Sequence, residues 1–188
     1  MNQQRKFSLA AWVQTTTAAF TLMGVSPFHF PGGGNENTGF NLLGAMIGIF
    51  QGTVSGAIIG FLQQRIVLRN WLPRSRRWIL AMMLSVGLIH GSFDGAPDSL
   101  GIGTVAFMSG VIMGVLQWVF FRRSISPLPW IVANIAIWTI VYPLGFPIAD
   151  TLVAGIWQVR RGVLGAMLGF SLGTLTGILL HRNGQRKH

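Results

Sequence analysis

Long stretches without charged residues, separated by short basic clusters, constrain this chain more than any other feature. A helix needs about 20 apolar residues to cross the hydrocarbon core of a bilayer. Only 10% of the 188 residues are charged, against about 25% in soluble domains. The sequence therefore predicts one domain over residues 1–188, an all-α integral membrane bundle. Its six transmembrane helices are expected at about 7–25, 42–64, 78–93, 99–121, 127–147 and 162–180.

The distribution of charge predicts how these spans are oriented. If all six cross, both termini and the loops after spans two and four share one side with most of the basic residues. Cytoplasmic loops of membrane proteins carry an excess of Lys and Arg. We therefore expect cytoplasmic N and C termini, in an inner, plasma or thylakoid membrane. The opposite side receives all the acidic residues and one basic pair: Glu36, Asp94, Asp98 and Asp150, with Arg160 and Arg161.

Two spans depart from a plain apolar helix. The first has Gln14 and three threonines in its middle. Because Arg5 and Lys6 precede it, a cleaved signal peptide is the alternative to a retained span, although the polar centre would make a poor signal-peptide core. In span five, Pro143 and Pro147 are expected to kink or end the helix, since proline removes a backbone donor.

A short pattern recurs along the chain: two glycines four residues apart, followed by a glutamine. Span six continues the glycine spacing but has Leu180 at the position of the glutamine. The simplest interpretation is three repeated helical hairpins, each with one glycine-rich helix. The complete pattern is Gly56, Gly60 and Gln63 in span two, and Gly110, Gly114 and Gln117 in span four.

Glycines spaced by four form ladders along these spans. Residues at i and i+4 share one helical face, and glycine there lets another backbone approach closely. We therefore expect spans two, four and six to pack against one another through these faces. A flat groove for a ring-shaped pigment, a lipid or a helix of another subunit is the alternative. The ladder glycines are Gly44, Gly48, Gly52, Gly56, Gly60, Gly110, Gly114, Gly165, Gly169, Gly173 and Gly177.

The sequence shows no constellation of catalytic residues. The four carboxylates are expected at one membrane face, so no ionisable group lies deep in a span, where it would mark a transport or proton path. There is no HExxH or phosphate-binding GxxxxGKS/T motif, and the chain contains no cysteine. We therefore expect neither an enzyme nor a metal site.

His90 and Asp94 form the one pair with potential as ligands. His90 lies near the outer end of span three, and Asp94 follows one turn later on the same face. They could hold a metal ion, or His90 could be an axial ligand of a chlorophyll-type magnesium, with His29 of the outer loop joining them. Two residues are few for a metal site, so an interfacial histidine bonded to a carboxylate is the simpler interpretation. The sequence identifies no cofactor, and chlorophyll, carotenoid and lipid are the candidate classes.

Other polar and aromatic residues are expected to serve packing and anchoring. Gln63 and Gln117 should form hydrogen bonds between helices or contact headgroups, with substrate binding as the alternative. Tryptophans near the basic side predict an aromatic belt at the membrane interface: Trp71, Trp78, Trp118 and Trp130. Arginines of the predicted cytoplasmic face would anchor anionic lipid or an acidic partner: Arg74, Arg76, Arg77, Arg122 and Arg123.

The motif formed by Gly110, Gly114, Gln117 and Trp118 with the following arginine pair resembles a set of small multi-span membrane proteins common in cyanobacteria and related phototrophs. Those proteins carry GxxxGxxQ helix ends followed by two arginines. The first repeat departs from the form with Gln64 in place of tryptophan. The resemblance implies a photosynthetic membrane as the setting and implies no activity.

Two functions are compatible with these patterns. The first is a non-catalytic accessory, assembly or structural subunit of a larger membrane complex, with membrane lipid and other membrane subunits as partners. The second is a small-solute transporter or substrate-binding component, since the six spans and the length are similar to the substrate-binding subunits of energy-coupling-factor vitamin transporters. The net charge of +10 does not indicate nucleic acid, because the basic residues sit in short clusters between apolar runs.

Overall fold

The structure is a computed structural model, and it describes residues 8–25, 41–68, 76–96, 100–122, 126–153 and 156–185. These segments are helical, and no strand occurs in them. By length and composition, five of the helices, α2 to α6, are able to cross a membrane; α1 has 17 residues. The helices are α1 (Leu9–Val25), α2 (Leu42–Ile66), α3 (Arg76–Gly95), α4 (Ile102–Phe121), α5 (Pro127–Leu152) and α6 (Trp157–Gln185).

The helices follow the predicted spans except in the last third of the chain. α5 continues through Pro143 and Pro147 to Leu152, so the expectation that these prolines end span five is wrong. Two prolines four residues apart remove backbone donors from one face of the helix only. The backbone hydrogen bonds on the other faces remain, and the helix continues. α6 begins at Trp157, which places Arg160 inside its first turns rather than in a loop.

The six helices form a closed ring. Each one contacts its neighbours in sequence, and α6 contacts α1. The contacts are most extensive in three alternate pairs, α2 with α3, α4 with α5, and α1 with α6. The prediction that spans two, four and six pack against one another is wrong, because no contacts join α2, α4 and α6 among the described residues. Each of these glycine-rich helices packs instead against an odd-numbered helix: α2 against α3, α4 against α5, and α6 against α1.

The ladder glycines account for these three pairs. A Cβ atom added at Gly52 would lie 2.4 Å from the carbonyl oxygen of Val86 on α3, and one at Gly165 would lie 2.2 Å from that of Phe20 on α1. Any side chain larger than hydrogen would therefore push the two backbones apart. The other ladder glycines meet a neighbouring helix at 3.0 Å or less in the same sense: Gly44, Gly48, Gly56 and Gly60 on α3, Gly110 and Gly114 on α5, and Gly169, Gly173 and Gly177 on α1.

The outside of the ring carries large apolar side chains. On α2, Phe50 is 71% exposed, and Met46, Val54 and Ile58 on the same face are exposed as well. Contiguous apolar surface of this kind is rare on soluble monomers, whereas the hydrocarbon core of a bilayer requires it. The surface therefore agrees with the membrane-spanning character of the helices.

Replacing Gly52 with Leu is expected to destabilise the protein, because the side chain must displace the backbone of α3. Overpacking of a close contact costs about 1–3 kcal/mol and sometimes more. Gly103→Leu is the matched control, since nothing lies within 4 Å of a Cβ atom at Gly103. Thermal unfolding of both variants in detergent checks this prediction, and equal melting temperatures would contradict the role of the ladder.

Candidate functional site

Three tryptophans from alternate helices meet inside the ring. Trp12 on α1, Trp78 on α3 and Trp130 on α5 are 1%, 2% and 1% exposed. The ring centroids of Trp12 and Trp78 lie 5.6 Å apart, and those of Trp78 and Trp130 lie 6.3 Å apart, both edge to face. Edge-to-face pairs of this kind contribute about 0.5–1.5 kcal/mol beyond the burial of their area. The three rings therefore form a rigid central layer.

This central layer corrects the prediction of an aromatic belt. Trp78 and Trp130 face the interior of the bundle and contact each other, whereas a belt tryptophan faces the lipid headgroups. Trp118 is partly buried on α4, and Trp71 lies outside the described residues. Packing against other aromatic rings in the interior stabilises Trp78 and Trp130 more than a position at the membrane interface would.

Gln63 joins three helices at this level. Its side-chain Nε2 donates to Thr16 Oγ1 on α1 at 2.9 Å, and its Oε1 accepts from Trp78 Nε1 on α3 at 2.7 Å. The amide is almost fully buried, so both bonds replace bonds to water that folding removed. The prediction that Gln63 forms hydrogen bonds between helices is confirmed.

Gln117 occupies the corresponding position on α4, but its hydrogen-bond partners are weaker acceptors. Its Nε2 lies 3.2 Å from the sulfur of Met82 on α3 and 2.9 Å from the sulfur of Met113 on its own helix. A thioether sulfur is a weak acceptor. Gln117 therefore contacts the preceding helix as Gln63 does, but its bonds to sulfur stabilise the bundle less.

The part of the layer formed by α5, α6 and α1 has different hydrogen bonds. Trp12 Nε1 donates to Thr176 Oγ1 on α6 at 3.1 Å, and Leu180 takes the position where α2 and α4 have glutamine. On α5, the amide of Asn134 donates to its own helix at the carbonyl of Trp130, at 2.9 Å. Asn134 Oδ1 and Trp130 Nε1 are both buried, and neither has a hydrogen-bond partner within the described segments.

A cavity of about 20 Å³ lies between these side chains. That space holds about one water molecule, whereas sites for small organic ligands usually measure about 300–1,000 Å³. The centre of the ring is therefore a closely packed core of aromatic rings and hydrogen-bonding side chains. The lining comes from all six helices: Trp12, Thr16, Phe20, Gln63, Trp78, Met82, Met113, Gln117, Trp130, Asn134, Leu172 and Thr176.

A second cluster lies at the end of the ring where α3 ends and α6 begins. His90 and Asp94 are half-buried there, and a Cβ atom at Gly48 would lie 2.6 Å from Asp94 Oδ2, so this carboxylate lies against α2. Arg161 on α6 and Tyr142 on α5 are close enough to interact electrostatically with Asp94. The structure thus adds a cation and a phenol to the predicted pair.

Aromatic side chains surround this charged cluster. Tyr142 has its ring centroid 5.0 Å from that of Phe93 and 5.9 Å from that of Trp138, with which it stacks. Arg160 lies with its guanidinium carbon 5.0 Å from the centroid of Phe146 and forms an ion pair with Asp150. Sequence reasoning missed this arrangement, because the spacing along one helix carries no signal for a partner on another.

The remaining predicted site residues are dispersed. Within the described segments, no group of three or more His, Asp or Glu residues could hold a metal ion. Arg76, Arg77 and Arg122 are exposed, all at the end of the ring where α1 begins. His29, Arg74 and Arg123 lie outside the described residues. Pigment or ligand binding at His90 and Asp94 therefore stays a prediction.

No protein-family model matches the chain, and neither a curated protein nor a solved structure shows significant similarity to it. The function must therefore be argued from the geometry of the bundle.

Replacing Gln63 with Leu is expected to destabilise the protein more than Gln117→Leu. The first change removes the acceptor of the Trp78 bond and the donor of the Thr16 bond, whereas the second removes contacts to sulfur. Loss of a buried partner costs about 1–3 kcal/mol, so the two melting temperatures should differ by several degrees. Unfolding followed by tryptophan fluorescence in detergent measures this, and an equal loss in both variants would contradict the ranking.

Proposed function

We propose that this protein is a non-catalytic accessory, assembly or structural subunit of a larger membrane complex. The observation that carries this proposal is the closed interior. The cavity that Gln63 and the three tryptophans line holds about 20 Å³, which is far below the roughly 300 Å³ at which small-molecule sites begin. A bundle whose centre is packed this closely is suited to act through its outer surface.

The outer surface of α2 supports this proposal. Its glycine face is occupied by α3, and the stripe of Met46, Phe50, Val54, Ile58 and Phe61 on another face is exposed. Bulky apolar side chains at steps of three and four residues suit either lipid chains or a helix of another subunit. We infer that membrane lipid and partner helices compete for this stripe.

The finer architecture belongs to the same proposal. We propose that all six helices cross, with the termini in the cytoplasm, and that the chain contains three repeated hairpins, α1–α2, α3–α4 and α5–α6, each with its glycine-rich helix second. The closest packing joins one hairpin to the next, in the pairs α2–α3, α4–α5 and α6–α1. The short α1 supports six crossings, because its residues from Leu9 to Gly24 meet α6 from Gly177 to Arg161. A helix packed antiparallel along a spanning helix over this length is expected to cross the membrane with it.

The setting is proposed from the resemblance alone: a photosynthetic membrane, where contact with chlorophyll, carotenoid or lipid would be expected. The alternative is a small-solute transporter or substrate-binding component. That function would require the bundle to open well beyond the cavity between its described helices.

Purification of the native protein in mild detergent tests the proposed function. We expect it to migrate as part of an assembly much larger than its 20.5 kDa chain. Substitution of an exposed residue, such as Phe50→Ala, should release the protein from this assembly more readily than a substitution on the glycine face that preserves folding. An absorption spectrum of the same preparation reports bound pigment. A free chain carrying a tightly bound small solute would overturn the proposal in favour of the transporter.

Single cysteines test the six crossings directly, because the chain contains none of its own. Gly101→Cys is expected to react with a membrane-impermeant maleimide in intact cells, whereas Ser8→Cys and Ser126→Cys should react only after permeabilisation. All three positions are exposed. Labelling of Ser8→Cys on the same side as Gly101→Cys would contradict the crossing of α1.

A further inference from the structure

Two residues of α5 that line the same cavity each have a buried polar atom without a partner among the described residues. Trp130 Nε1 is a hydrogen-bond donor and Asn134 Oδ1 is an acceptor. Both side chains are 1% exposed. Because they are one turn apart, they lie on one face of α5, and both contribute to the lining of the central cavity. Buried groups of this kind are rarely left without a hydrogen bond.

The rest of the layer indicates what these two atoms lack. At Trp78 the indole N–H donates to Gln63, and Gln63 in turn donates to Thr16 on the next helix. At α5 the corresponding donor and acceptor lack this intermediary. Gln117 directs its amide N–H to sulfur, and α6 has Leu180 at the position where α2 and α4 have glutamine. An intermediary that both accepts and donates is needed at this corner.

We propose that the central cavity is a binding site for a single water molecule, held between Trp130 Nε1 and Asn134 Oδ1. A water oxygen accepts the indole N–H, and one water hydrogen is donated to the amide oxygen. The second hydrogen and the second lone pair face the remaining polar lining, Gln117 among it. Buried waters typically make about three such bonds, and a cavity above about 10–15 Å³ admits one. The cavity of about 20 Å³ meets both conditions.

The size and chemistry of the site select water over other ligands. A cation is disfavoured by an indole N–H, which would turn its positive end toward the ion, and an anion is disfavoured by the amide oxygen of Asn134, which would turn its negative end toward it. Organic solutes need more than ten times the volume. A further bond from the water to Gln117 would connect α5 to α4, much as Gln63 connects α1, α2 and α3. This inference does not depend on the proposed function of the surface.

Tryptophan labelled with ¹⁵N at the indole gives a direct test in the full-length protein. We expect a cross-relaxation peak between water and the Trp130 indole proton, with the sign of a direct contact rather than of chemical exchange. Trp78 is the internal control, because its indole N–H is bonded to Gln63 at 2.7 Å, and it should show no such peak. Trp130→Phe and Trp78→Phe assign the two signals, each by the loss of one resonance.

Asn134→Leu removes the proposed acceptor. The water peak at Trp130 should disappear in this variant, while the Trp12 and Trp78 indole resonances stay in place and report an intact layer. Absence of a water contact at Trp130 in the wild-type protein would overturn the proposal. So would a Trp130 resonance without a water contact that shifts on Gln117→Leu, which would indicate a direct bond to the Gln117 oxygen. If Asn134→Leu does not fold, the wild-type comparison of Trp130 with Trp78 decides alone.

Discussion

Backbone-to-backbone contact at glycine is the constraint on which the rest of the bundle depends. Along α2, α4 and α6 the missing Cβ atoms allow a second helix to approach so closely that a single methyl group would collide with it, as at Gly52 and Gly165. In a membrane, helices associate through such packing rather than through the hydrophobic effect. Three close pairs result, and side-chain contacts between the pairs complete the ring.

The same ladders determine which side chains reach the centre. Successive residues of a helix are turned by about 100°, so the column beside the glycine face is directed toward the axis of the ring. Ile59 and Gln63 occupy it on α2, and Met113 and Gln117 occupy it on α4, all of them buried. A glycine face occupied by a neighbour thus directs a glutamine into the interior, where three tryptophans surround it.

The centre and the charged end of the ring differ in chemistry. The centre consists of large rings and hydrogen-bonded amides with space for about one water molecule. The end near Asp94 gathers an acid, Arg161 and Tyr142 from three helices, so that opposite charges accompany one another in a half-buried setting, where an isolated charge would be costly. The central cavity is too small for an organic solute, which favours a role for the outer surface.

Helical spans, their approximate bounds and the face that bears the glycines could all be determined from the sequence, because length, charge and spacing by four are local properties. Only the tertiary structure decided which helix covers each glycine face, since a smooth face accepts any backbone of suitable shape. It also decided the place of Trp78 and Trp130, because tryptophan suits a membrane interface and a buried layer alike. The meeting of Asp94 with Arg161 depends on ring closure, and no spacing within one chain segment encodes that.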